Sequence, residues 1–309
     1  MLLVGCGYMG REYIKALKIL DEEFIVIGKT IDKCKNLEKE FDIEVFPHGI
    51  DDFFRTCKKK YNRCIIATPI DVLENHLEII LENGIQHVLI EKPGGLDVNN
   101  MERICSKYPD RHIVVAYNRR FYENVKKARE IILQDGGVRS FSLDITEIIH
   151  NINISRYNPI VLEKWFLSMT THVIDLAFYL CGEPTKMKSM VKDSLDWHPT
   201  SAIFCGVGET RNGALFSYHG DWTSAGRWKL EIFTKNNLLI FCPLEHLKIQ
   251  KKGELIINDI VTESDGLNIK PGIFEQTKIF INDPFNEIFI SYRDQCERIK
   301  NIYNKMAGY

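Results

Sequence analysis

Gly5, Gly7 and Gly10 close a short apolar run in "LLVGCGYMG", with the G-x-G-x-x-G spacing of a phosphate-binding turn. The first glycine permits the turn, the second lets backbone approach a pyrophosphate, and the third lets the following helix pack closely on the strand. The helix N-terminus then offers free N–H groups and a partial positive charge to the phosphates. The spacing alone is weak evidence; the strand before it and the helix after it strengthen it. Tyr8 and Met9 lie inside the turn and are expected to touch the cofactor through backbone and apolar contact. About twenty residues on, an NAD site carries Asp or Glu for the ribose 2′-OH. Here "VIGKTIDK" places Gly28, Lys29 and Thr30 at that point. A lysine and a hydroxyl suit a 2′-phosphate, so NADP is preferred; with NAD, Asp32 would take the ribose instead. In "HVLIEKPGG", Glu91, Lys92 and Pro93 end another apolar run. Ligands of open α/β sheets lie outside the carboxyl edge, so Lys92 is expected to point toward the nicotinamide.

Residues 1–118 alternate two periodicities. Apolar runs at Leu2–Val4, Phe24–Ile27, Arg63–Ala67, His87–Ile90 and His112–Ala116 are separated by stretches of helical spacing. Strands apolar on both faces and joined by helices imply a doubly wound parallel sheet of Rossmann type, covered on both sides. After Asn118, Arg119 to Leu133 reads as one amphipathic helix, stopped by the glycines of "QDGG". The chain is then strand-rich to about Val261, interrupted by a helix around 170–181. Strand following strand predicts an open, mainly antiparallel sheet in a second, α+β domain. The final "PFNEIFISYRDQCERIKNIYNKMAG" places Phe285, Ile288, Phe289, Tyr292, Cys296 and Ile299 on one helical face. The expected domains are 1–118, binding a dinucleotide, and 119–309, binding substrate and oligomerising, with the last helix able to pack back on the first.

Composition excludes several functions. The 309 residues suit two domains, and forty basic against forty-two acidic residues leave no excess to grip nucleic acid. No stretch is long and apolar enough to span a bilayer, and the N-terminus has no basic leader, so no membrane association is expected. Nine cysteines without a C-x-x-C pair suggest neither disulfide framework nor zinc site and fit a reducing cytoplasm. His48, His87, His112 and His246 lack partners at ligand spacing, so no metal is expected.

"GCGYMG", "ATP" (67–69) followed by His76, "EKP" (91–93), "AYNRRF" (116–121) and "THVIDLAFYLCG" (171–182) together resemble the glucose-fructose oxidoreductase/inositol dehydrogenase/MocA family. The likeness covers nearly the whole chain and is strongest up to residue 182; E-K-P in this position is far more specific than the glycines. The resemblance implies a Rossmann domain followed by an open sheet domain, with nicotinamide and a sugar or polyol substrate in the cleft between them. It further implies that Lys92 contacts cofactor and substrate and that His172 helps move the proton. Ser168 stands where the family commonly has an aspartate, four residues before the histidine. Thr68, Pro69, His76, Glu91 and Asn118 join the expected cofactor contacts. Tyr157, Trp165 and Ser168 join Lys92 and His172 as expected substrate contacts. A homo-oligomer, dimer or tetramer, is expected to cover the exposed face of the second sheet.

Oxidising a secondary alcohol by hydride transfer requires a group that accepts the hydroxyl proton and a positive group that stabilises the developing alkoxide. Lys92 and His172 can divide these tasks, and the sequence leaves open which is the base. A helix dipole at His172 would favour the neutral ring. Asp175 reads as structural or as an orienter of His172. Two alternatives are a catalytically silent NAD(P)-binding sensor and a redox-neutral enzyme that uses transient oxidation.

Overall fold

A computed structural model describes residues 1–262 and 266–309. The chain forms two compact units: Met1–Asn118 with Asn268–Glu297, and Arg119–Leu267 with Arg298–Tyr309.

In the first unit, strands β1 (Leu2–Val4), β2 (Ile25–Ile27), β3 (Val45–Phe46), β4 (Arg63–Ile66), β5 (His87–Glu91) and β6 (His112–Ala116) form a parallel sheet in the order 6-5-4-1-2-3. Helices α1 (Tyr8–Ile19), α2 (Ile31–Phe41), α3 (Ile50–Thr56), α4 (Leu73–Glu82) and α5 (Val98–Lys107) provide the connections. Leu2, Leu3, Cys64, Ile65, Ile66, Val88, Leu89 and Ile90 are fully buried, which is why these strands read as unbroken apolar runs. Strand order reverses between β1 and β4, and open sheets of this kind take ligands beyond the carboxyl ends at that switch.

The sequence predicts a second domain over 119–309 with only the last helix able to pack back on the first; the return to the first unit is longer than that. Residues 268–297 complete the first unit through the helix Ile273–Asn282 and through Ile290–Ser291, which pairs antiparallel with β6 at Val115 and Val114. Local polar groups secure this return. Glu12 accepts from the Lys270 backbone N–H at 2.5 Å, Gln276 donates to the Tyr13 hydroxyl at 3.0 Å, and Asn118 donates to the Pro271 carbonyl at 2.9 Å. The predicted terminal helix also starts later. Asp283–Asn286 form a turn that leaves Phe285 exposed, and Ser291, whose hydroxyl accepts from the Asp294 N–H, opens the helix only at Tyr292.

The second unit begins with a 3₁₀ turn at Asn118–Phe121, so the predicted helix from Arg119 is shortened to α6 (Glu123–Gln134). Gly136 and Gly137 terminate it at positive φ, as the sequence suggested. Strands β7 (Ser140–Asp144), β8 (Pro184–Lys192), β9 (Ile203–Thr210), β10 (Leu215–Asp221), β11 (Lys229–Phe233), β12 (Asn237–Phe241), β13 (Leu247–Lys251) and β14 (Ile257–Ile260) form a sheet ordered 14-13-12-11-7-10-9-8. Only the β7–β10 pair is parallel. Helices α7 (Pro159–Glu163) and α8 (Thr171–Cys181) precede β8, and Phe178 of α8 packs on Phe141 and Phe216 of the sheet. Strict alternation in β10 buries Phe216 and Tyr218 and exposes Leu215 and His219. Among the described residues, no helix is long and apolar enough to cross a membrane.

Candidate functional site

The glycine turn joins β1 to α1 at the switch in strand order. A Cβ on Gly10 would lie 2.1 Å from the Gly5 carbonyl oxygen, and one on Gly5, at φ +124°, would lie 2.4 Å from the Ala67 oxygen. Backbone on both sides therefore excludes side chains at these two positions. Gly7 differs: a Cβ there would meet nothing within 4 Å. It is the N-cap of α1, no side chain caps the helix, and its first turn holds no acid. The turn is thus a cradle of free N–H groups open above Gly7, and it fits the pyrophosphate of a dinucleotide. Tyr8 stands exposed beside it. Lys270, from the returning segment, reaches over both neighbours, its Nζ 3.4 Å from Met9 Sδ and 5.6 Å from the Tyr8 ring. Nothing in the first 118 residues could have signalled that lysine.

At the end of β2, Gly28 is buried where a Cβ would strike the thiols of Cys6 and Cys34, whereas Lys29 and Thr30 are exposed. After β4, the Thr68 hydroxyl hydrogen-bonds His76 Nδ1 at 3.0 Å. Burial lowers the His76 pKa; the Asp51 charge opposes that shift and the Lys29 charge adds to it.

Lys92 follows β5 directly, and its peptide bond to Pro93 is cis. Glu91 faces inward, with its buried carboxylate accepting from the Tyr13 hydroxyl at 2.8 Å. Burial raises the pKa of that carboxyl, while Tyr13 and the charges of Lys92 and Lys270 pull it back. Glu91 therefore ties β5 to α1, and the Asn118 amide is engaged with Pro271. Both were expected at the cofactor; the structure gives each a bond within its own unit.

His172 lies at the second position of α8, buried, with its ring 6.0 Å from that of Trp228. The dipole expected there needs correction, because the helix does not begin at His172. Residues 159–163 are already α-helical and 166–170 form a π turn running straight into α8, so His172 sits inside a longer helical stretch. Hydroxyl back-bonds accompany the π turn: Ser168 donates to the Lys164 carbonyl at 3.0 Å and Thr171 to that of Leu167 at 2.9 Å, contacts of a kind that bend helices. Ser168 is completely buried by this arrangement, and Trp165 is buried against Trp197 and Tyr157. Of the aromatic and hydroxyl side chains expected at substrate, only Tyr157 is exposed.

Asp175 does not orient His172. Its carboxylate accepts from Arg120 at 2.5 and 2.9 Å and from Arg298 at 2.6 Å, and Arg298 also pairs with Glu183. This buried network is structural, and the 123-residue separation between Asp175 and Arg298 hid it from the sequence. Among the described residues no cluster of His, Cys, Asp or Glu could hold a metal ion.

Residues 1–118 match the family model described as "Oxidoreductase family, NAD-binding Rossmann fold". The chain is 22% identical over 193 residues to a myo-inositol 2-dehydrogenase of Thermotoga maritima, a match covering 59% of this chain and 54%, about half, of that relative. Among solved structures, a levoglucosan dehydrogenase in complex with NADH superposes with a TM-score of 0.76 at 18% identity, covering 99% of this chain and 95% of that one. A UDP-N-acetylglucosamine 3-dehydrogenase from Acidithiobacillus ferrooxidans gives 0.73 at 16% identity, covering 99% and 96%. The first 118 residues, which carry the glycine cradle at the strand-order switch, are thus similar to the NAD-binding Rossmann domain of the Gfo/Idh/MocA oxidoreductases, and the whole chain shares the fold of these solved dehydrogenases.

Proposed function

We propose that the protein is an oxidoreductase that moves a hydride between a nicotinamide cofactor, NADP by preference, and a hydroxyl or keto carbon of a sugar, sugar derivative or cyclitol. The observation that carries this reading is the carboxyl edge of the first sheet, where an open glycine cradle and Lys92 follow strands of the same parallel layer. The family match and the sugar and polyol substrates named for its relatives support the reaction class. The exposed Lys29 and Thr30 support the 2′-phosphate.

The Gly5–Gly10 turn would hold the pyrophosphate on α1's N–H groups, with Tyr8 and Met9 beside it. Lys29 and Thr30 would hold the adenosine ribose, and Thr68, Pro69 and His76 would border the cofactor. When bound, the nicotinamide supplies the hydride acceptor or donor. Lys92 would set its ammonium against the alkoxide as the hydroxyl proton leaves, and His172 would take that proton on its imidazole; the roles can also be exchanged. A second copy of the chain would cover the exposed face of the second sheet, where Leu215, Val207 and Met190 stand out.

Titration with NADPH and NADH, followed by a sugar and polyol screen with the preferred cofactor, tests the proposal. The expected result is turnover with a matching absorbance change, abolished in Lys92→Ala and His172→Ala with cofactor affinity retained in the histidine variant. Absence of cofactor binding overturns the proposal. Product formed without net change in NAD(P)H replaces it with the redox-neutral reading.

A further inference from the structure

We infer that Arg119, Arg227 and Trp228 form a subsite for an anionic group on the sugar, a carboxylate or a diphosphate. The inference rests on the reading that His172 meets the substrate.

The contrast between neighbouring arginines starts the argument. Arg120 is buried and fully engaged by Asp175. Arg119 is nearly as buried, its side chain 11% exposed, yet no comparable partner meets it. Its guanidinium lies 5.2 Å from the Trp228 ring, its Nε is buried without a hydrogen-bond partner, and among the described residues the carboxylate that pairs with it, on half-exposed Glu245, is 3.6 Å away. A guanidinium presents five donors in a rigid fork, and removing it from water is costly unless acceptors meet them.

Trp228 repeats the pattern. It is buried, and its indole N–H has no hydrogen-bond partner. Two buried donors around one ring therefore await an acceptor. A second cation faces the same indole: the Arg227 guanidinium is 5.1 Å from it, exposed, and forms no ion pair among the described residues. His172 packs 6.0 Å from that ring. One indole thus joins the imidazole to two guanidiniums, at a separation that a monosaccharide and its charged substituent can span.

The loop carrying Arg227 is anchored. Asp221 caps it by accepting from the Thr223 N–H and hydroxyl, and the Asp221 N–H donates to the Thr146 hydroxyl at 3.1 Å. Gly226 packs so tightly on Thr146 that a Cβ would lie 2.8 Å from its methyl. The guanidinium is therefore presented from a fixed turn. Glu147, the buried carboxylate beside Thr146, is held by the Thr170 hydroxyl at 2.7 Å. Planar, bidentate recognition by arginine suits carboxylate and phosphate oxygens alike.

Calorimetry on protein saturated with NADP⁺, which keeps nucleotide probes out of the cofactor site, compares D-glucose with D-glucuronate and with UDP-glucose. At least one anionic probe is expected to bind about tenfold more tightly than glucose, and Arg227→Gln and Arg119→Gln should each remove most of that advantage while leaving NADP⁺ affinity unchanged. Response to glucuronate alone assigns the subsite to a carboxylate, and response to UDP-glucose alone to a diphosphate. Arg227 is an exposed loop residue, so its variant remains informative if Arg119→Gln unfolds. Equal binding of neutral and anionic probes, or an advantage untouched by Arg227→Gln, overturns the subsite and leaves the dehydrogenase reading standing. Turnover of no sugar with either cofactor fells that reading separately.

Discussion

Two glycine-to-alanine changes in the same turn, at Gly7 and Gly10, separate folding from cofactor binding. In Gly7→Ala the new methyl enters open space, and the backbone at φ −81° and ψ −168° is one any L-residue adopts. Alanine is a poorer N-cap than glycine by about 0.5–1 kcal/mol, but it narrows the unfolded ensemble by about 0.4–1 kcal/mol. The terms nearly cancel, so the melting temperature should hold within about 2 °C. The methyl nevertheless occupies the room through which a pyrophosphate reaches the α1 N–H groups, so NADPH affinity should fall at least about tenfold, the cost of one lost charge-assisted contact. Gly10→Ala is the opposite case. Its methyl would overlap the Gly5 carbonyl at 2.1 Å, backbone against backbone, and α1 would have to lift from β1. Overpacking of this kind costs about 1–3 kcal/mol or more, against about 1 kcal/mol regained in helix propensity. Melting should drop by several degrees together with cofactor affinity. Differential scanning fluorimetry and NADPH fluorescence titration read both quantities. Wild-type NADPH affinity in a well-folded Gly7→Ala protein would refute the cradle.

Other perturbations probe separate parts of the molecule. Lys29→Glu should weaken NADPH by about tenfold or more and spare NADH, since it replaces a favourable charge with a repulsive one at an exposed position; equal loss of both cofactors in paired titrations contradicts the 2′-phosphate assignment. Asp175→Asn strips a buried carboxylate from two arginines and should cost about 3–5 kcal/mol in chemical denaturation, while the pH profile of kcat stays put; a shifted profile at full stability would restore Asp175 as the orienter of His172. His198 donates from Nδ1 to the Ser201 carbonyl and accepts the Tyr309 hydroxyl at Nε2, and burial lowers its pKa below the usual 6.5. The unfolded chain then takes up the proton first, so stability is lost as pH falls below 6.5, at no more than about 1.4 kcal/mol per pH unit for this residue. His198→Gln should flatten the denaturation midpoint between pH 6.5 and 5, and an unchanged slope would remove His198 as its source.

What the sequence made legible was whatever is decided locally. The core strands of the first sheet are buried on both faces, so their composition announces them, and Gly10 is demanded by the Gly5 carbonyl in the same turn, whereas Gly5 itself answers to Ala67 on the neighbouring strand's end. Distant partners remained hidden. Nothing near Asp175 names Arg298, and nothing near Tyr13 names Gln276. The helical periodicity through Phe285 and Phe289 was real, but a turn closed by Asp283 and Asn286 overrode it. The π turn before His172 was foreshadowed by the hydroxyls of "SMTT", whose significance depends on which carbonyls they reach. Arg119 reads like any helix-start charge until Trp228 is placed against it.

The return of residues 268–297 to the first unit bears on how the chain is born. During synthesis the amino-terminal layer must wait, one edge of β6 bare, until the whole second sheet has been made and the strand at Ile290–Ser291 that pairs there has left the ribosome. A fragment ending at residue 118 should therefore be aggregation-prone, and adding a peptide of residues 268–297 should rescue it in trans.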